Sequence, residues 1–162
     1  IQKNLLFLQS YKDSGLITEE DIVEAIPKTL QDNIFDLTQL ILTKKIDQAR
    51  DLVKDLTLQG EDEIKLIAIM LGQFRLYTQV KILQESGQTE SQMVSGLGQY
   101  LGRNPNPYQI KFALRDTQGL SLNFLQDSIR YLIQADYQIK TGVYEKGYLF
   151  EKALLQIASQ SN

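Results

Sequence analysis

Two carboxylates stand where a helical pattern calls for apolar side chains. Leu125, Ile129, Leu132 and Ile139 recur at helical spacing on one face, and Asp136 falls in the same line. Glu151 repeats the pattern among Tyr148, Ala153, Leu154, Leu155 and Ala158. Two inward carboxylates with different affinities for a proton are the raw material of acid–base catalysis. They serve equally as halves of structural ion pairs, because a charge taken from water needs a neutralising partner. Lys140 stands four residues after Asp136, the acid-before-base order that a helix favours, and Arg75 is a second cation for either acid. Removing one partner of a buried pair is strongly destabilising, so Asp136, Lys140, Glu151 and Arg75 are expected to be structural ion pairs. No substrate is suggested for an enzyme built on them.

A second set of charged residues lies in 89–116. One short helix pattern, the turn Asn104-Pro105-Asn106-Pro107 and another short helix carry Arg103, Lys111 and Arg115. The order suits a helix-turn-helix, in which those three cations would contact DNA. Phe112 and Leu114 account for much of the second helix as packing surface, and the chain carries a net charge of -3. A packing or partner surface is therefore the first expectation, and a DNA-binding regulator the alternative.

Several chemistries are excluded by composition. Without a single cysteine or histidine among 162 residues, the chain has no disulfide, no thiolate nucleophile, no usual zinc site and no imidazole base. No phosphate-binding glycine loop, dinucleotide fingerprint or nucleophile elbow occurs, so no cofactor and no metal are expected. No apolar run reads as a membrane span and no leader pattern appears, which makes a cytoplasmic protein the default. The chain opens on Ile1 directly in an apolar pattern, as a piece of a longer protein would.

The elements that must hold these residues are helices. From Gly60 to Leu83 the chain is apolar on most of a helical circumference, with Lys65, Gly72 and Gln79 as its one persistently non-apolar line. At about 1.5 Å per residue this helix spans roughly 33 Å, the central post of a bundle. Before it, Leu5 to Tyr11 and Thr18 to Ile26 give two short helices, and residues 27–33 a linker. A helix capped at Asn33 carries Ile34, Phe35, Leu37, Leu40 and Ile41, and another carries Ile46, Ala49, Leu52, Val53 and Leu56. Thr89 and Ser121 are caps of later helices, the second running to Lys140 and stopping at Gly142. A last helix covers about Tyr148 to Ala158. The tyrosines, Tyr77, Tyr100, Tyr108, Tyr131, Tyr137, Tyr144 and Tyr148 among them, fit core edges or interfaces. Nothing alternates at period two, so the fold is all-α.

The ordered set Leu16-Ile17-Thr18-Glu19-Glu20-Asp21-Ile22, Ile34-Phe35-Asp36-Leu37, Leu58-Gln59-Gly60-Glu61-Asp62-Glu63-Ile64-Lys65-Leu66, Gln73-Phe74-Arg75 and Ala135-Asp136-Tyr137-Gln138-Ile139-Lys140-Thr141-Gly142, with Glu151 following, resembles the delta subunits of the bacterial DNA polymerase III clamp loader. The resemblance implies residues 1–28 as the end of an AAA+-type helical lid domain and 33–162 as the helical collar that joins subunits into a ring. It implies a part without catalytic activity of its own, in a parent that belongs to the DNA-directed DNA polymerase III holoenzyme, a nucleotidyltransferase complex. It further implies the ATPase subunits and delta-prime as collar partners. The sliding clamp would be reached only through an N-terminal domain missing from this chain, and DNA through the assembled complex. It carries over no catalytic or clamp-binding residue.

Overall fold

The structure, a computed structural model, describes residues 28–101 and 107–161. The expected short helices before Pro27, the centre of the Asn104 to Pro107 turn and Arg103 lie outside the described residues. Seven α-helices and no strand occur among those described: α1 (Leu30–Leu42), α2 (Ile46–Leu58), α3 (Glu63–Glu85), α4 (Glu90–Leu101), α5 (Pro107–Thr117), α6 (Leu122–Lys140) and α7 (Lys146–Ala158). The all-α fold expected from the pattern is the fold observed.

Helix starts follow local chemistry. Asp62 accepts from the Ile64 amide at 2.8 Å and opens α3, while Ser121 Oγ accepts from Phe124 N at 3.0 Å and opens α6. Thr89 and Gln92 exchange side-chain-to-backbone bonds of 2.9 and 3.3 Å before α4, a reciprocal capping box. The same device corrects the expected start of α1. Thr29 and Asp32 bond each other's amide nitrogens at 3.1 Å, so the helix begins at Leu30 and takes in much of the stretch expected as linker. Asn33 already lies inside it.

Helix ends are equally local. After α2, Gly60 N donates to Thr57 O and Glu61 N to Leu56 O, with Gly60 at φ 94°. That paired closure needs a left-handed residue, which glycine supplies without a Cβ clash. Lys44 does the same work after α1 at φ 60°, although its sequence gives no such signal.

By compactness the chain divides between Asn33 and Ile34, and the bundle lies in the second unit. There α3 is the centre, packed against α6 and α5 most extensively and against α7 and α4 as well. Leu66, Ile67, Met70, Leu71, Phe74, Tyr77 and Val80 are its buried side chains. Lys65, Ala68, Gly72, Arg75 and Ile82 are exposed, so the outward strip is wider than the sequence line. By length and composition alone α3 would pass for a membrane span, contrary to the sequence reading. Its apolar groups are instead spent on neighbouring helices, each fully buried Leu or Ile contributing about 1.5–3 kcal/mol. On α6 the inward line is Phe124, Leu125, Ser128, Leu132, Ala135 and Ile139, and on α7 it is Leu149, Phe150, Ala153, Leu154, Ile157 and Ala158.

Candidate partner-binding site

The two carboxylates singled out by pattern do not enter the core. On α6 the inward position next to Leu132 and Ile139 is taken by Ala135, which leaves Asp136 at the edge with its side chain 26% exposed. Lys140 Nζ donates to Asp136 Oδ2 at 2.9 Å, one helical turn on. Glu151 is 45% exposed and accepts from Arg50 Nε on α2, a cation the sequence reading did not consider. Arg75 is exposed on α3, and among the described residues no carboxylate pairs with it. The structure thus brings together Asp136 with Lys140 and Glu151 with Arg50, and leaves Arg75 apart. Two shallow depressions include Glu151, one shared with Tyr148 and Leu155 and the other with Arg50 and Leu154, and neither includes Asp136.

A third exposed pair ties the start of α3 to the start of α7. Lys146 Nζ donates to Asp62 Oδ2 at 2.9 Å. The Lys146 hydrogen bond, followed by the Ile64 amide, holds the Asp62 carboxyl below its ordinary 3.8. Reciprocally, the Asp62 bond raises the Lys146 ammonium above its ordinary 10.5.

The deeper polar cluster escaped the sequence reading. Asp116, at the end of α5, has a side chain only 5% exposed. Its Oδ2 accepts from Gln39 Nε2 on α1 at 2.7 Å and from the Tyr77 hydroxyl on α3 at 3.0 Å. Its Oδ1 accepts from Arg115 Nε and Nη2, both at 3.0 Å. Burial, and after it the Asp116 charge, push the Tyr77 phenol far above its ordinary 10.0. Nearby, Thr38 Oγ1 donates to Gln73 Oε1 at 2.7 Å and Lys81 Nζ to Thr117 O at 3.3 Å. One signal was present in the sequence: Tyr77 is a polar group on an oily helix and needs a partner when buried. Which partner depends on how α5 lies across α3.

Two faces point outward. On α5 the buried residues are Ile110, Ala113 and Thr117, not Phe112 as expected, and Leu114 is only half-buried. Phe112 is 42% and Tyr108 70% exposed, with Lys111 and Arg115 beside them. At the α6–α7 end, Tyr137, Val143, Tyr144 and Tyr148 are each more than half exposed, and the Tyr144 and Tyr148 rings pack edge to face at 5.8 Å. Grouped exposed aromatics of this kind mark surfaces that meet partners.

Comparison with known proteins gives this architecture a family. The sequence pattern of the DNA polymerase III delta subunit, C-terminal domain, matches residues 31–157. The chain belongs to the DNA polymerase III delta-subunit family. Among curated relatives, the DNA polymerase III subunit delta of Bacillus subtilis (strain 168) is 31% identical over 161 residues, 99% of this chain and 44% of that protein. Among solved structures, the Bacillus subtilis DNA clamp loader delta protein superposes with a TM-score of 0.81 at 31% identity, over 98% of this chain and 44% of that one. The chain thus spans less than half the length of these relatives. The helical architecture matches that of the solved delta protein over nearly the full length of this chain.

Proposed function

We propose that this chain is the assembly part of a clamp-loader delta subunit: residues 33–162 act as a collar that binds sister subunits, and residues 1–28 end the lid domain. The collar works by contact alone. Its partners on this reading are the ATPase subunits and delta-prime, in the bacterial cytoplasm. The sliding clamp and DNA are met through the rest of the parent protein and the assembled loader. The observation that carries the reading is the likeness to a clamp loader delta protein along 98% of the chain. Two outward aromatic faces on a bundle whose inner face is already filled support it. Rigid helices joined by short closures suit a part that passes motion between neighbours rather than absorbing it.

The test is reconstitution. The chain should co-elute with the purified ATPase subunits of its own loader and, alone, should neither bind nor hydrolyse ATP. A chain that is helical by circular dichroism yet elutes apart from every loader subunit would overturn the proposal.

A further inference from the structure

Resting on that assembly reading, we infer that the outward face of α5, carrying Tyr108, Lys111, Phe112 and Arg115, is where a sister loader subunit docks, and that the docked surface presents carboxylates. The four residues follow one another at spacings of three, one and three along the helix. They share the side opposite the buried Ile110, Ala113 and Thr117. Tyrosine and arginine are the residue types over-represented among those that dominate binding energy.

Arg115 is held ready on this face. Its guanidinium is fixed to Asp116 and lies over the Phe112 ring, 4.9 Å from the centroid, while its side chain remains 58% exposed. Asp116 is in turn anchored by Gln39 and Tyr77. An exposed arginine normally loses rotamer freedom when a partner orders it. Here that loss is incurred on folding, which favours docking. Phe35 on α1, its ring 5.8 Å from that of Phe112, steadies the same spot.

Charge names the partner's chemistry. Lys111 and Arg115 are the cations of α5. The helix's one acid, Asp116, pairs with Arg115 from the inner side, so Lys111 carries the face's unbalanced charge while Arg115 still shows guanidinium donors to solvent. In a chain of net charge -3, this face is locally positive and complements carboxylates. The α6–α7 end has no such preference, since Lys140 neutralises Asp136, Arg50 neutralises Glu151, and the exposed Glu145 and Lys152 are of opposite sign. Nucleic acid fits the α5 face less well. Arg115 covers one side of the Phe112 ring, which limits stacking on a base. Two cations replace about two counterions, against the roughly 6–10 phosphate contacts of a strong binder.

The experiment measures affinity between this chain and each separately purified subunit of its own loader, by titration calorimetry. Each variant is first checked for native helicity. Lys111→Glu, which touches neither Asp116 nor the core, and Phe112→Ala should each weaken binding to one subunit by about tenfold or more. Tyr148→Ala at the other face should leave that affinity within about twofold. Wild-type affinity in both α5 variants would overturn the inference and leave the assembly reading standing. Absence of any subunit binding by the wild-type chain would overturn both. Two further readouts reject the chosen occupant. One is salt-sensitive binding of a single-stranded oligonucleotide that Lys111→Glu abolishes. The other is a dimer of this chain, seen by light scattering, that the same substitution dissolves.

Discussion

At the α1–α3–α5 corner, a carboxylate whose side chain is 5% exposed collects bonds from Gln39, Tyr77 and Arg115. On the α2–α6–α7 side, Asp136 and Glu151 hold one cation each with side chains 26% and 45% exposed. The chemistry is alike and the surroundings differ. Removal of a partner in the first region leaves hydroxyl and amide donors without water to replace it, so the loss is the full cost of desolvation. In the second region water and salt take the place of whichever partner is removed, and little changes. A polar contact therefore specifies helix docking at the first site and trims the surface at the second.

Breaking the inner cluster should give the largest effect. Asp116→Ala strands the Tyr77 hydroxyl and Gln39 together, and should lower stability by about 3 kcal/mol in urea unfolding. Amide exchange should rise in α5 before it rises in α6. A loss no greater than that of an exposed pair would erase the contrast. The next effect appears at high pH. The folded state keeps the Tyr77 proton well past the 10.0 at which the unfolded chain releases it. The stability this group contributes is therefore full below pH 10 and declines above it, by at most about 1.4 kcal/mol per pH unit. The stability advantage of the native chain over Tyr77→Phe should shrink as pH rises from about 9 to about 11, and an advantage that holds steady would show that the phenol is not buried.

The outer pairs set the small end of the scale. Asp136→Asn and Glu151→Gln should each cost about 0.2–1 kcal/mol, less in high salt, and the two losses should add because the pairs share no partner. The Asp62–Lys146 contact, with both side chains 49% exposed, belongs at the same small end. Its sign is still defined. Asp62, held below 3.8, contributes above that value and loses the contribution as pH falls through its lowered pKa. Lys146, raised above 10.5, contributes below that value and loses its share as pH rises through its raised pKa. Asp62→Asn and the native chain should thus differ in melting temperature near neutrality and converge in acid, as the pH falls below 3.8 and through the lowered pKa.

Much of the architecture was legible because its signals are local. Ser121 and Thr89 cap where hydroxyls precede apolar runs, Gly60 and Gly142 close the helices before them, and α3 is oily enough to need neighbours. Errors came where two local signals compete or where the signal is absent. Thr29 and Asp32 outbid Asn33 for the start of α1, and Lys44 adopts the left-handed turn without being glycine. The outward faces were misjudged for a different reason. A helix period shows which residues share a stripe but tolerates a rotation of one position. That rotation puts Ala135 rather than Asp136, and Ala113 rather than Phe112, against the core.

Composition and spacing were enough to establish helices, their order and a central post, since caps, closures and apolar periodicity act within a few residues of chain. The same letters also carry the family likeness. Only the packed structure decided that Glu151 meets Arg50, that Asp116 joins Gln39 to Tyr77, and that Arg75 stays in water. Those partners lie 39 to 101 residues apart. Their meeting depends on how helices rotate and cross, which is settled by the fit of many side chains at once and is not written at any one position.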